Sequence, residues 1–487
     1  MNRMPSLWDG RRNDGGFARF KWAVFVALFF ILVSCKPSLL KSPAELLFEP
    51  PTFAFPEVER VVLQNGMVVY VLEDHELPLF NLVALVRTGS VYEPDDQLGL
   101  AELTGVVMRT GGTRWMSGDE INEQLEFVAG SVETSIGREV GTASLSVLTK
   151  DMDLGLQIFA DVLMHPVFAE EKVDLARKKK EEEIRRRNDD PQGIAFREFS
   201  RAVFLKNPRG RIPTLKTVAN VKREDMIAFH QRYFHPNNMI LGVSGDFKRD
   251  EMIAKLEKLF EGWLSETITI DSVPSPEKIK EKSVNYAYKD LPQSTIVIGH
   301  LAMSKTHPDY YPFEVLNFIL GGGGFNSRLT SEIRSNRGLA YSAGSFYRAE
   351  IDYGLFGTYC FTKSASTLEC IRIISEIVER VKREGISQKE LEWAKTSIIN
   401  NFIFEFTSPA QIVGRRVVMA YDKLPKEFME TYRDKIAAVS VDDVDRVAKT
   451  YLHLDRSVLM VVGNSDQFDG SLSEFGDVAV IPLEETL

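Results

Sequence analysis

The sequence predicts an α+β protein built from two homologous α/β sandwich domains, each an antiparallel-rich mixed sheet with helices packed on it. Three observations lead there. The chain has 487 residues, too many for one ordinary domain. Its strand signals and helix signals come in alternating groups rather than in one regular βαβ series. Finally, the stretch "VKREDMIAFHQRYFHPNNMILGVSGD" from Val221 matches "VSVDDVDRVAKTYLHLDRSVLMVVGN" from Val439 without gaps. At a constant offset of 218 residues the two share Val221/Val439, Asp225/Asp443, Tyr233/Tyr451, His235/His453, Leu241/Leu459, Val243/Val461 and Gly245/Gly463. Each copy reads as a helix, a short turn and a buried strand ending in glycine.

The elements follow in order. Residues 1–34 read as a leader: Arg11, Arg12, Arg19 and Lys21 precede the apolar run Trp22–Val33, which is too short for the ~20 residues of a spanning helix. The run ends in "LVSC", so a lipoprotein signal with lipidation at Cys35 is expected, the competing reading being a plain signal peptide or membrane anchor. Lys36 behind the cysteine, in place of an aspartate, favours the outer membrane in a Gram-negative cell. Residues 35–57 are proline-rich and aperiodic, a tether. Residues 58–264 form the first domain. It opens with "RVVLQNGMVVYVLED", two β-branched runs joined by Asn65-Gly66, a hairpin signal. Phe80–Gly89 alternates as a further strand, and helices are expected from about Leu98 and from Ser117. A second strand pair, "SVETSIG" and "VGTASLSVLT", precedes the helices "MDLGLQIFADVLM" and "AEEKVDLARKKKEEEIRRRNDD". Mixed charge at helical spacing in the latter reads as a solvated face. Residues 265–282, with prolines and lysines, are a linker. Residues 283–469 are the second domain and 470–487 a tail.

Charge and cysteines narrow the function. The chain carries a net charge of −10, and −13 once the basic leader is removed, which argues against nucleic acid as a partner. Beyond Cys35 only Cys360 and Cys370 remain, which is no disulfide framework. Both read as small buried hydrophobes, with a bridge left open.

The motif "GLAELTGVVMRTGGT" opens a helix after a strand. With the duplication, the size and the leader, it resembles the pitrilysin/insulinase family of zinc peptidases, over about Arg60 to Asp469. The resemblance implies a two-domain chain forming half of a clam-shaped chamber whose other half is an identical or homologous chain. Active members place H-x-x-E-H just after this "GLA": two histidines at i and i+4 share a helix face and bind zinc, while the glutamate activates water. Here those positions hold Glu102, Gly105 and Val106. Glu183 stands about where the family's third ligand belongs, although Glu181 and Glu182 beside it leave the register open. Two carboxylates and a valine make no ordinary catalytic zinc site, so no catalytic residue and no metal are expected on this chain. The seven histidines offer no replacement. His75, His165, His230, His235, His300, His307 and His453 include no i, i+4 pair, and His235 and His453 are repeat partners that read as structural.

The second half carries "LGGGGFNSRLTSEIRSNRGLAYSAGSFY", Leu320–Tyr347. No G-K-[ST] follows the glycines, which argues against a phosphate loop. A flexible turn over Gly321–Gly324 is expected, then a helix capped near Asn326 or Ser327 and ended by Gly338, then a strand from Tyr341. Arg334 and Tyr341 match the family's arginine–tyrosine pair, which the resemblance makes substrate-binding residues that stabilise charge on the attacked carbonyl. Arg328 and Arg337 are nearby cations without an assigned role. Two-subunit bacterial members of the family divide labour between a chain with H-x-x-E-H and one with the arginine–tyrosine pair. The resemblance therefore implies a non-catalytic, substrate-binding subunit, inactive alone. It would pair as a heterodimer with a zinc-bearing homologue, act on peptides, and sit lipid-anchored in the bacterial cell envelope, outer membrane facing the periplasm. The alternative is a scaffolding protein with no part in proteolysis.

Overall fold

The computed structural model describes residues 55–483. The leader, Cys35 and nearly all of the tether lie outside the described residues. In the first half the chain runs β1 (Glu59–Val62), β2 (Val68–Glu73), β3 (Leu79–Val86), α1 (Leu100–Thr110), α2 (Gly118–Phe127), β4 (Ser131–Ile136), β5 (Gly141–Leu148), α3 (Met152–Met164), α4 (Glu170–Arg186), α5 (Pro191–Phe204), α6 (Leu215–Asn220), α7 (Arg223–Tyr233), β6 (Met239–Gly245) and α8 (Arg249–Leu259). The six strands form one sheet in the order β1-β2-β6-β3-β5-β4. Only β2 and β6 pair in parallel; the other neighbours are antiparallel. Asn65-Gly66 makes the first hairpin, with Gly66 at a φ of 82° and its N–H donating to the Leu63 carbonyl. A capping box on Ser117 and Glu120 starts α2.

The second half repeats the plan: β7 (Ser283–Tyr288), β8 (Gln293–Ala302), α9 (Tyr310–Asn317), β9 (Ala340–Ala349), β10 (Gly354–Lys363), α10 (Thr367–Glu384), α11 (Gln388–Phe402), α12 (Pro409–Tyr421), α13 (Phe428–Ala437), α14 (Val441–Tyr451), β11 (Val458–Gly463) and β12 (Val478–Val480). Its sheet has the order β12-β7-β11-β8-β10-β9, with β7 parallel to β11. The stretch read as a tail contributes β12, which pairs in parallel with β7. The repeat also reaches further than the sequence match. Helices α4 and α11 begin at Glu170 and Gln388, α5 and α12 at Pro191 and Pro409, α7 and α14 at Arg223 and Val441, every pair 218 residues apart.

The two halves exchange helices. In α5 the buried face of Ile194, Ala195, Phe199 and Val203 packs on the second sheet, against Val297, Val458, Met460 and Val462. In α12 Val413 and Val417 pack on the first sheet, against Leu85, Val83 and Ile240. Domain limits drawn along the sequence assign α5 to the first half, yet its apolar surface is removed from water by the second. Polar contacts reinforce the joint. Arg209, 2% exposed, gives Nε and Nη2 to Glu139 Oε1 at 3.0 and 2.7 Å and Nη2 to Asp352 at 2.7 Å, with its guanidinium 4.6 Å from the Tyr353 ring. Such a buried cation is tolerable only because carboxylates from both halves meet it. The Tyr421 hydroxyl donates to the Glu139 carbonyl across the same joint. Among the described residues no helix is long and apolar enough to cross a membrane.

Candidate functional site

Helix α1 starts where Gly99 turns the chain at a φ of 105°, a left-handed conformation that side chains resist. Its free N-terminal N–H groups are met by Glu93, whose carboxylate accepts from Gly99 at 3.2 Å and Ala101 at 2.6 Å. Burial pushes the Glu93 carboxyl up to about 7, opposed by those backbone bonds and by Arg211. Leu100, Ala101, Leu103, Val107 and Met108 form the buried face of α1, which leaves Glu102 and Val106 towards the surface.

The degenerate positions have specific occupants. Val106 is exposed and apolar. Gly105 lies against β4, and a Cβ there would stand 2.5 Å from the Ile136 nitrogen and 2.8 Å from the Ser135 carbonyl carbon. A glutamate could not enter without moving strand backbone. Glu102 meets α4 through Lys180, whose Nζ is 2.7 and 2.9 Å from the two Glu102 oxygens and 3.0 Å from Glu183 Oε1. Of the three consecutive glutamates it is thus Glu183 that shares a partner with Glu102; Glu181 pairs instead with Arg185. Burial works against the Lys180 charge, but the two carboxylates outweigh it and hold its pKa above the ordinary value. The residues present do not fit zinc: one candidate ligand is a valine, the base position has no side chain, and the two carboxylates are taken by an ammonium. Among the described residues no group of three or more His, Cys, Asp or Glu is arranged to hold a metal.

In the second half the glycine run is not the flexible turn its composition suggests. The chain widens into π-type turns at Phe318–Gly322 and Thr330–Asn336. Gly321 is pressed against β9, with a Cβ position 2.2 Å from the Ser345 nitrogen, and Gly323 against Trp393. The helical segment follows Ser327, whose hydroxyl donates to the Gly324 carbonyl, and it ends at Gly338 with a φ of 64°. Strand β9 then begins, with Tyr341 83% exposed, at the edge of the sheet. These turns bring Arg334 and Tyr341 together. The Arg334 guanidinium lies 5.5 Å from the Tyr341 ring centre and 4.6 Å from that of Phe325, itself exposed. Among the described residues the side-chain contacts of Arg334 are these two rings, with no carboxylate pair. Its neighbours differ. Arg328 makes a two-pronged bond to Glu390 at 2.7 and 2.9 Å, and Arg337 pairs with Glu332 at 2.8 Å. Burial would raise the Glu390 carboxyl, but Arg328 and Ser387 hold it down at about 2.

Several other chemistry-bearing residues are occupied internally. His230 is buried with Nε2 at 2.8 Å from the Leu163 carbonyl, and burial lowers its pKa to about 4. His235 bonds the Gln231 carbonyl, and the His453 N–H donates to His300 Nε2. Cys360 and Cys370 are buried free thiols. Sequence reasoning missed Lys180 and Phe325. The i, i+3 spacing from Lys180 to Glu183 was a signal for the first, but nothing separated Lys180 from Lys178 and Lys179. Phe325 carried none.

Known proteins are similar to this chain in sequence and fold. Residues 69–217 match the family model Insulinase (Peptidase family M16), and residues 220–398 match the model Peptidase M16 inactive domain. The first interval contains Glu102, Gly105, Val106 and Glu183, the second Arg334 and Tyr341. A protein of Rickettsia bellii named as an uncharacterized zinc protease is 27% identical, covering 79% of this chain and 93% of its own. The uncharacterized zinc protease YmxG of Bacillus subtilis is 25% identical over 83% of this chain and 98% of its own. Among solved structures, the peptidase M16 inactive domain from Pseudomonas fluorescens superposes with a TM-score of 0.77 at 22% identity, covering 84% of this chain and 98% of that one. A protease from Helicobacter pylori gives 0.76 at 21%, covering 84% and 100%. A chain of complex III2 from Candida albicans gives 0.70 at 16%, covering 84% and 97%. With two family models in tandem over residues 69–398 and the same two-sheet fold in these neighbours, this chain belongs to the insulinase family, peptidase family M16.

Proposed function

We propose that the chain is the non-catalytic, substrate-binding subunit of an insulinase-family zinc peptidase, half of a clam-shaped chamber completed by a homologue with an intact H-x-x-E-H. One observation carries this reading. Arg334 is held beside an exposed Tyr341 at a sheet edge with no carboxylate partner among the described residues, while the α1 site lacks a zinc ligand set. A guanidinium and a phenol are both donors suited to an oxygen that gains charge during acyl transfer. An open strand edge suits a peptide added through main-chain hydrogen bonds. Zinc would then reside on the partner, and lipid at Cys35 would fix the complex to the envelope, at the outer membrane facing the periplasm.

The test mixes the purified chain with its H-x-x-E-H homologue and follows peptide cleavage. Neither chain alone should match the mixture. Arg334→Ala and Tyr341→Phe should lower turnover by roughly 10- to 1,000-fold, with assembly by size exclusion unchanged. Turnover indifferent to both substitutions favours the scaffolding reading, which the fold shared with a chain of complex III2 keeps in view. Metabolic labelling with a radioactive fatty acid tests the anchor, and Cys35→Ala should abolish it.

A further inference from the structure

Resting on the reading that this half carries no zinc, we propose that Lys180 is a resident substitute for the metal: its ammonium takes the place between Glu102 and Glu183 and shuts the site to divalent cations. An ammonium has three N–H donors, and here three carboxylate oxygens stand at 2.7, 2.9 and 3.0 Å, so its capacity is spent. Glu102 occupies the first ligand position of the family motif on α1, and Glu183 the third-ligand position on α4. The same two helices that a zinc would join are therefore joined by a lysine.

Exposure explains why the cation stays. The side chain of Lys180 is 11% exposed, against 46% for Glu102 and 64% for Glu183. Water reaches the carboxylates but hardly the ammonium, so a metal arriving from solvent would have to eject a covalently tethered, desolvated charge. One positive charge also leaves the pair of carboxylates only partly neutralised, which suits their contact with water. A divalent ion would need both oxygen groups plus further ligands, and Val106 offers none. The clasp ties α1 to α4, and α1 is itself keyed to β4 through Gly105. Lys180 thus holds the edge of the first sheet in place without any metal.

The test builds the missing ligands and asks what the lysine does. Two chains are compared, Glu102→His/Val106→His and the same pair with Lys180→Ala, using Co2+ as the probe and its visible absorption as the readout. The chain with Lys180→Ala should bind one Co2+ through both histidines and Glu183. The chain that keeps Lys180 should bind about 10- to 100-fold more weakly. Equal affinity in the two would overturn the inference and leave the proposed function standing. One tightly held Co2+ in the unaltered protein would overturn both. If the triple variant fails to fold, Val106→His with and without Lys180→Ala decides: the thermal midpoint should rise on adding Co2+ when Lys180 is removed and not when it is kept. A rise of the same size in both contradicts the proposal.

Discussion

Replacing Gly105 by alanine asks whether the motif helix is sealed onto β4 or merely rests near it. The added Cβ would lie 2.5 Å from the Ile136 nitrogen and 2.8 Å from the Ser135 carbonyl carbon. Comfortable contacts are ~3.5–4 Å, so α1 must withdraw by about 1 Å or β4 must yield. Strand β4 cannot yield easily, since Ser135 and Ile136 are paired with Thr142 and Gly141 of β5. Withdrawal also strains the bond from the Thr134 hydroxyl to the Gly105 carbonyl, 2.6 Å long. Overpacking of this kind costs about 3 kcal/mol at its upper end, and the gain in helix propensity returns about 1 kcal/mol, a net loss of roughly 2 kcal/mol. Gly414 provides the control. It sits inside α12, and a Cβ there meets nothing within 4 Å. Gly414→Ala should therefore gain up to about 1 kcal/mol. Urea denaturation reads both as shifts of midpoint at constant slope. Two identical chemical changes should move stability in opposite directions. If Gly105→Ala is as well tolerated as Gly414→Ala, strand backbone does not close the base position.

Phe199→Ala on the exchanged helix α5 removes a ring 1% exposed on the second sheet and should cost about 3–5 kcal/mol; a loss below about 1 kcal/mol would mean the helix exchange does not hold the halves together. Glu93 gives a pH dependence. Its carboxyl is raised by burial from 4.5 to about 7 in the fold, so the folded state binds the proton more tightly than the unfolded chain. The associated stability is complete below about pH 4.5 and is lost as pH rises through 7, a change on the order of 3 kcal/mol. Denaturation of Glu93→Gln at pH 5 and pH 8 should lack that slope; a slope matching the unaltered chain refutes the assignment.

Much of the architecture was readable because periodicity reports burial directly. The alternation of Phe80–Gly89, the turn chemistry of Asn65-Gly66 and the helical spacing of Met152–Met164 each depend on neighbours along the chain, and each appears as β3, the first hairpin and α3. The tandem match from Val221 and Val439 became paired helices and strands for the same reason. What the sequence withheld were choices between equivalent partners. An apolar face on α5 says that Ile194, Phe199 and Val203 are buried, not which sheet buries them. Composition says that Gly321–Gly324 can bend, whereas Gly321 and Gly323 serve close approach to β9 and Trp393. At the site, the absence of histidine at positions 102 and 106 and of a carboxylate at Gly105 was legible residue by residue. The lysine between Glu102 and Glu183 was not, because Lys178, Lys179 and Lys180 are chemically alike and only the rotation of α4 selects one.

The most direct measurement is the zinc content of the purified chain, alone and in complex, taken with its peptidase activity. The chain alone should hold no stoichiometric zinc and cleave nothing, and one zinc per heterodimer with cleavage should appear once the H-x-x-E-H homologue is added. One zinc per copy of the isolated chain, together with proteolysis by that material, would contradict it.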